Sequence, residues 1–227
     1  MNNNYRSIKS LTRRFLLVLA LVPLFAQAGE AKLDESPIPS DSASIQRGAA
    51  EVATTCSGCH GLKYIKYSEL VSLGIAKDKV DAWRGANPLG GSMQPQMTAG
   101  DAKAAFGVVP PDLSLMAAAR EGGGHYIYSY LTGYHMKDGK LTNSVFPVTR
   151  MPDILGLSGI TDPQQRAAGE KTARDVSAFL VWASDPHAAQ RKSMGYYVLG
   201  YVFLMTILLY LWKKHIWRDI DRQPKIG

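Results

Sequence analysis

Cys56-Ser57-Gly58-Cys59-His60 is the stretch on which the reading of this chain turns, and it holds both cysteines of the 227-residue sequence. The spacing is C-x-x-C-H, the covalent attachment pattern of a c-type haem. Two thiols at this spacing can reach the two vinyl groups of one porphyrin, and the next residue offers an imidazole to the iron from the proximal side. Gly58 lets the backbone pass close to the ring. Chance seldom makes the pattern: shuffling two cysteines and five histidines through the chain produces it in roughly two of ten thousand arrangements. A thioredoxin-like redox pair shares the cysteine spacing, but it needs a preceding strand and leaves His60 idle. Two cysteines also exclude a disulfide-dense scaffold and a four-cysteine zinc or iron–sulfur site. A single motif argues against a di-haem peroxidase or a multi-haem wire.

Working outward, residues 2–14 carry Arg6, Lys9, Arg13 and Arg14 and no acid. An apolar run from Phe15 to Ala26 follows, then the small-x-small site Ala26-Gln27-Ala28. This order reads as a signal peptide over 1–28, cut after Ala28. The run is short for a span and is interrupted by Pro23. Toward the other end, Gly195 to Trp212 is 18 residues without a charge. At ~1.5 Å per residue it reaches about 27 Å, close to a hydrocarbon core. Tyr196, Tyr197, Tyr210, Trp212 and Trp217 sit near its ends as an aromatic belt would. Arg191 and Lys192 flank one side; Lys213, Lys214, Arg218, Arg222 and Lys225 flank the other. The larger basic excess belongs in the cytoplasm. The expected organisation is therefore a signal peptide (1–28), an exported, periplasmic domain (29–192), a transmembrane anchor helix (193–213) and a cytoplasmic tail (214–227).

The net charge of +7 invites a nucleic-acid partner. Partitioned along the chain, it vanishes from the exported part: residues 29–212 hold 17 basic and 17 acidic groups. No nucleic-acid partner is expected.

An iron with one histidine is open and reactive, whereas a second strong ligand makes an electron carrier. Met93, Met97, Met116, Met136 and Met151 are candidates for it, with His125 and His135 as rivals. Met151 leads, because Pro152 holds it in extended chain and out of a helix. Met136 and His135 are the reserves. His187 and His215, like His125, read as surface or interfacial residues.

The fold expected is mainly α, a c-type cytochrome haem domain with long loops plus one C-terminal transmembrane helix. Asp41 should cap a helix running into the CSGCH turn. Residues 84–101 and 137–160 read as loop. Pro110-Pro111-Asp112-Leu113 reads as a helix start that runs to Gly122-Gly123-Gly124, followed by a short helix over 125–133. Thr161-Asp162-Pro163 should cap a helix in which Val176, Phe179, Leu180 and Ala183 face the core. A basic linker after Asp185-Pro186 should lead to the anchor. A buried haem would serve as a large apolar centre in place of regular structure.

Several stretches in order resemble the cytochrome c1 family, the haem subunits of bacterial-type cytochrome bc1 complexes (quinol–cytochrome c reductases). They are Gln46-Arg47-Gly48, CSGCH, Pro110-Pro111-Asp112-Leu113-Ser114, the run from Tyr126 to Tyr134 (YIYSYLTGY), Met151-Pro152, and ARDVSAFLVWASDPHAAQRKSMGYYVLG with its KKHIW exit. The likeness covers roughly residues 44–67 and 107–218. It implies one covalent haem c, with Cys56 and Cys59 as thioether residues and His60 and Met151 as axial ligands to the iron. It implies one-electron relay from a Rieske iron–sulfur protein to a cytochrome c, beside cytochrome b, in a dimeric complex of the bacterial inner membrane. Tyr126, Tyr128, Tyr130, Tyr134 and the Pro110–Leu113 segment become candidate pocket walls. The chain departs from the family where members carry an arginine ahead of PPDLS facing a haem propionate. Only Lys103 is basic there, and the propionate partner stays unassigned. An anchored haem sensor or gas binder with an open iron, and a haem subunit of a terminal oxidase, are the alternative functions.

Overall fold

The computed structural model describes residues 32–221; the expected signal peptide and the last six residues lie outside the described residues. Among the described residues eight α-helices dominate, with two small two-stranded sheets. Helix α1 (Ser42–Thr54) starts where expected, with the Asp41 carboxylate accepting from the Ser44 N–H at 2.9 Å. A 3-10 turn, Cys56–Gly58, follows directly. Strand β1 (Leu62–Lys66) leads to α2 (Tyr67–Ser72) and α3 (Lys77–Arg84). Strand β2 (Ser92–Met93) returns antiparallel to β1, and α4 (Ala99–Phe106) follows. Short α5 (Met116–Ala119) precedes α6 (Gly124–Thr132), and β3 (Tyr134–Lys137) pairs with β4 (Lys140–Asn143). Helix α7 (Pro163–Ser184) is capped by the Asp162 side chain with Pro163 in its first turn, as the sequence predicts.

The core lies where α1, α6 and α7 meet. Val52, Ala49 and Phe179 have no exposed surface, and Val176, Leu180 and Ala183 keep at most 3% of theirs. The helical spacing read from the sequence therefore names the buried face of α7. Phe179 stacks on Trp182 with ring centroids 5.6 Å apart. The α1–α7 crossing is tight because Gly48 has no side chain. It is also pinned by charge. The Arg47 guanidinium reaches both Asp175 oxygens at 2.7 and 3.0 Å, and the Lys171 ammonium reaches one at 2.9 Å. Burial pushes the Asp175 carboxyl up, but hydrogen bonds from Arg47 and Lys171 outweigh it and hold it below its ordinary value. A carboxyl lowered in the folded state stabilises above its unfolded pKa, and that contribution disappears as pH falls through the folded value. Asp175→Asn should cost about 2 kcal/mol at neutral pH, since it leaves two cations facing a neutral amide. In denaturant melts the loss should shrink as pH falls below the ordinary carboxylate range toward the lower folded value of Asp175, where the wild-type carboxylate itself protonates.

Several local expectations give way to the structure. Pro110–Leu113 starts no helix: the segment takes no regular secondary structure, and the helix after it shrinks to Met116–Ala119. Its polar groups are spent on a neighbouring strand, as described below. Residues 137–160 are not all loop, because Asp138 and Gly139, both at positive φ, close a two-residue hairpin. Within and after the loop expected over 84–101, α4 starts at Ala99, capped by the Thr98 side chain and closed by left-handed Gly107. The basic linker after Pro186 is helical. Helix α8 (Ala188–Asp221) is one continuous element, and its stretch Ala188–Arg218 is long and apolar enough to cross a membrane, with an 18-residue window of mean hydropathy 1.8 and its apolar side chains largely exposed. At its base the His187 imidazole lies 3.6 Å from the Glu69 carboxylate.

Candidate haem site

Helix α1 delivers the CSGCH turn. The Cys56 carbonyl accepts from the N–H groups of both Cys59, at 3.1 Å, and His60, at 2.9 Å, which curls the backbone tightly. The buried Ser57 hydroxyl donates back to the Ala53 carbonyl at 2.7 Å and locks the turn onto the helix. From outside, the Gln96 and Met97 N–H groups donate to the Ser57 and Gly58 carbonyls at 2.8 and 3.1 Å. The two thiols are free and half-buried. Burial pushes the Cys56 thiol up to about 12. A thiol held so far from its reactive thiolate is a poor redox nucleophile. The motif also follows a helix rather than a strand, so the preceding strand that the thioredoxin-like reading needs is missing.

His60 is oriented by a single strong contact, its Nδ1 lying 2.7 Å from the Pro111 carbonyl. A carbonyl only accepts, so Nδ1 carries the proton and Nε2 keeps its lone pair for a metal. Burial holds the imidazole below its ordinary pKa, in the neutral form that ligates.

The Pro-Pro-Asp-Leu-Ser segment is the scaffold for this contact. Lacking N–H groups, Pro110 and Pro111 cannot donate to a ladder. Asp112 instead accepts from the Lys63 N–H at 2.8 Å, and the Ser114 hydroxyl accepts from the Tyr64 N–H at 3.0 Å, so side chains stand in for a strand beside β1. The Leu113 N–H donates to the Gly61 carbonyl at 2.8 Å. A Cβ on Gly61 would stand 2.9 Å from the Pro95 ring and 3.3 Å from the Met93 carbonyl, which explains the glycine after His60. The sequence reading missed Asp112 and Ser114. Their signal was present, since an Asp two residues before a Ser is a turn former that competes with helix.

The distal candidates separate by position. Met151 is half-buried in a bend outside any helix and packs against the main core, as Cys56 does. Its N–H donates to Thr149 Oγ1 at 3.1 Å and its carbonyl accepts from the Tyr134 hydroxyl at 3.0 Å. Burial, then the neighbouring Tyr130, pushes the Tyr134 hydroxyl above its ordinary pKa, so it stays a proton donor. Met136, 61% exposed, and His135, also exposed, sit on the β3–β4 hairpin. Met93 is buried in the β1–β2 ladder. Met116 packs on the core, and Met97 lines a cleft of about 140 Å³ beside Cys59. His125 is half-buried on α6, its Nδ1 without a hydrogen-bond partner. Of the four candidate pocket tyrosines, Tyr128 and Tyr134 are buried, and Arg174 donates to the Tyr128 hydroxyl at 3.2 Å. The Arg150 guanidinium reaches Gly107, just ahead of Pro110, with Nη1 3.4 Å from where a Cβ would stand.

These residues suit a covalently attached haem: two free thiols on one turn, a neutral imidazole with Nε2 available, and open space at Gly58, where an added Cβ would meet nothing within 4 Å. The description "Cytochrome C1 family" matches residues 38–220. This chain belongs to the cytochrome c1 family. The family's proteins are c-type haem proteins, in keeping with the attachment turn. The chain is similar to cytochrome c1 of Allochromatium vinosum, at 34% identity covering 90% of this chain and 96% of the relative. It is 33% identical to cytochrome c1 of Rhodospirillum rubrum, over 79% and 83% of the two chains. A protein of Nitrosomonas europaea described as an ammonia monooxygenase gamma subunit is 33% identical over 90% of this chain and 97% of its own. Cytochrome c1 family membership extends through the α8 helix, so the haem turn and the membrane-competent helix belong to one family pattern.

Proposed function

We propose that this chain is the membrane-anchored mono-haem electron-transfer subunit of a quinol–cytochrome c reductase, passing electrons from a Rieske iron–sulfur protein to a cytochrome c. The observation that carries the reading is the CSGCH turn with His60 Nδ1 fixed on the Pro111 carbonyl. Bound there, haem supplies one-electron exchange between ferric and ferrous iron.

The chain's own residues have four tasks. Cys56 and Cys59 would hold the group through thioethers. His60 would ligate through Nε2, with Pro111 setting the tautomer and ring orientation. Met151 would supply a thioether, a soft ligand that favours the ferrous state and raises the potential. The core residues packed around Cys56 and Met151 would exclude water. No bond-making chemistry is required of the protein. Helix α8 would anchor residues 29–192 on the periplasmic face of a bacterial inner membrane, with the tail in the cytoplasm, and cytochrome b would be its neighbour in a dimeric complex.

The test is purification of a tagged chain from native membranes in mild detergent. Cytochrome b and a Rieske protein should co-purify in stoichiometric amounts with one covalent haem on this chain, and the preparation should reduce cytochrome c with quinol. Recovery of the haem protein alone, binding carbon monoxide rapidly when reduced, would establish the sensor or gas-binding alternative instead.

A further inference from the structure

Met151 is gripped by its backbone on both sides, and we propose that the hydroxyls of Tyr134 and Thr149 are positioning groups that keep its thioether available to the iron. The proposal rests on the reading of Met151 as distal ligand. Residue 151 lies outside every helix and strand, so no ladder supplies partners for its N–H and C=O. Two side chains do so instead: Thr149 Oγ1 accepts from the N–H at 3.1 Å, and the Tyr134 O–H donates to the carbonyl at 3.0 Å.

The two groups are joined to each other. The Tyr130 hydroxyl bonds Thr149 Oγ1, and the Tyr130 ring meets the Tyr134 ring edge-on with centroids 6.0 Å apart. Tyr134, Met151, Thr149 and Tyr130 thus close a ring of contacts. The ring is fastened to regular structure. Tyr134 is 3% exposed and pairs with Asn143 across the β3–β4 hairpin. Buried Asn143 donates to the Tyr130 carbonyl at 2.7 Å and accepts from the Val145 and Phe146 N–H groups at 2.9 and 3.1 Å. The loop that carries Met151 is therefore tied back to α6 and to the hairpin.

A thioether is a weak ligand for ferric iron, so a slack loop would spend time with the methionine off. Fixing both backbone groups of the ligand removes part of the entropy that the ligand-off state would gain. Loss of either hydroxyl should shift the ligand equilibrium toward methionine-off about tenfold, the worth of one partly buried hydrogen bond.

The experiment uses the full-length haem-loaded protein and two variants. Tyr134→Phe keeps the ring and its packing; Thr149→Val keeps the volume. The readout is imidazole binding to the ferric form, whose apparent affinity scales with the methionine-off fraction, together with the weak far-red band of methionine-ligated ferric haem. Each variant should bind imidazole about tenfold more tightly and lose intensity in that band. Unchanged imidazole affinity in both variants, with the band present in the wild type, overturns the positioning role even if thermal stability falls. A wild type that lacks the band overturns the ligand assignment and, with it, this proposal.

Discussion

Met151→Leu should leave the haem covalently attached and lower its midpoint potential by on the order of 100 mV, within the range that axial ligands command. As the proposed distal ligand the thioether would stabilise ferrous iron, and leucine offers no lone pair. The substitution keeps the side-chain volume and touches neither backbone hydrogen bond of residue 151, so it should cost the fold under about 1.5 kcal/mol. The two effects therefore separate: a redox titration should move while a thermal melt stays nearly in place. Quinol-dependent reduction of cytochrome c should fail, because a relay whose potential has dropped below that of its donor no longer accepts. Met97→Leu is the matched control, since Met97 also lies half-buried, lining the cleft beside Cys59. Its potential should not change. If Met97→Leu moves the potential and Met151→Leu does not, the ligand is Met97. Met136, 61% exposed on its hairpin, should be replaceable without effect on the iron.

How much of this was legible in the sequence differs by element. The CSGCH turn, the Asp41 and Asp162 caps and the buried face of α7 were readable because each is written in residues only a few positions apart. The Pro110–Ser114 segment was misread for the opposite reason. Local rules favour a helix after Pro-Pro-Asp, but the segment satisfies its polar groups on Gly61, Lys63 and Tyr64, some 50 positions away in the chain. That non-local pairing outweighs helix propensity, which is a weak prior. The β3–β4 hairpin was readable and missed: Asp138-Gly139 is the dipeptide for a two-residue turn, but its flanks lack the apolar alternation that marks strands. The grip on Met151 was not legible at all. Pro152 predicts an extended Met151, yet nothing in one sequence says that Tyr134 and Thr149 will meet its carbonyl and N–H. At the haem site, residue identity came from the motif and orientation came only from the fold.

Gly48→Ala should be the most damaging single-methyl change in the haem domain. By helix propensity alone alanine would stabilise α1, by about 1 kcal/mol over glycine. The packing reverses that sign. A Cβ at position 48 would stand 1.9 Å from the Asp175 carbonyl oxygen, 2.5 Å from its carbon and 2.9 Å from the Phe179 Cβ. All three obstacles are backbone or the first side-chain atom, so no rotamer change relieves them. Helices α1 and α7 must move apart, which loosens the contacts of Ala49, Val52, Val176 and Phe179 and stretches the Arg47–Asp175 pair. The net cost should be about 3 kcal/mol, at the upper end for overpacking. For a domain of this size that is a fall of about 10 °C in melting temperature. Gly159→Ala is the control, because an added Cβ there meets nothing within 4 Å, and its melt should match the wild type. A second consequence follows from connectivity. Helix α1 runs directly into the CSGCH turn, and the Pro111 carbonyl that orients His60 belongs to a different part of the fold. Displacing α1 therefore shifts His60 against its anchor, so the yield of covalently loaded haem should fall together with stability. A Gly48→Ala protein with wild-type melting temperature and full haem content would mean that the α1–α7 crossing is looser than its geometry and that the glycine in Gln46-Arg47-Gly48 serves no packing role.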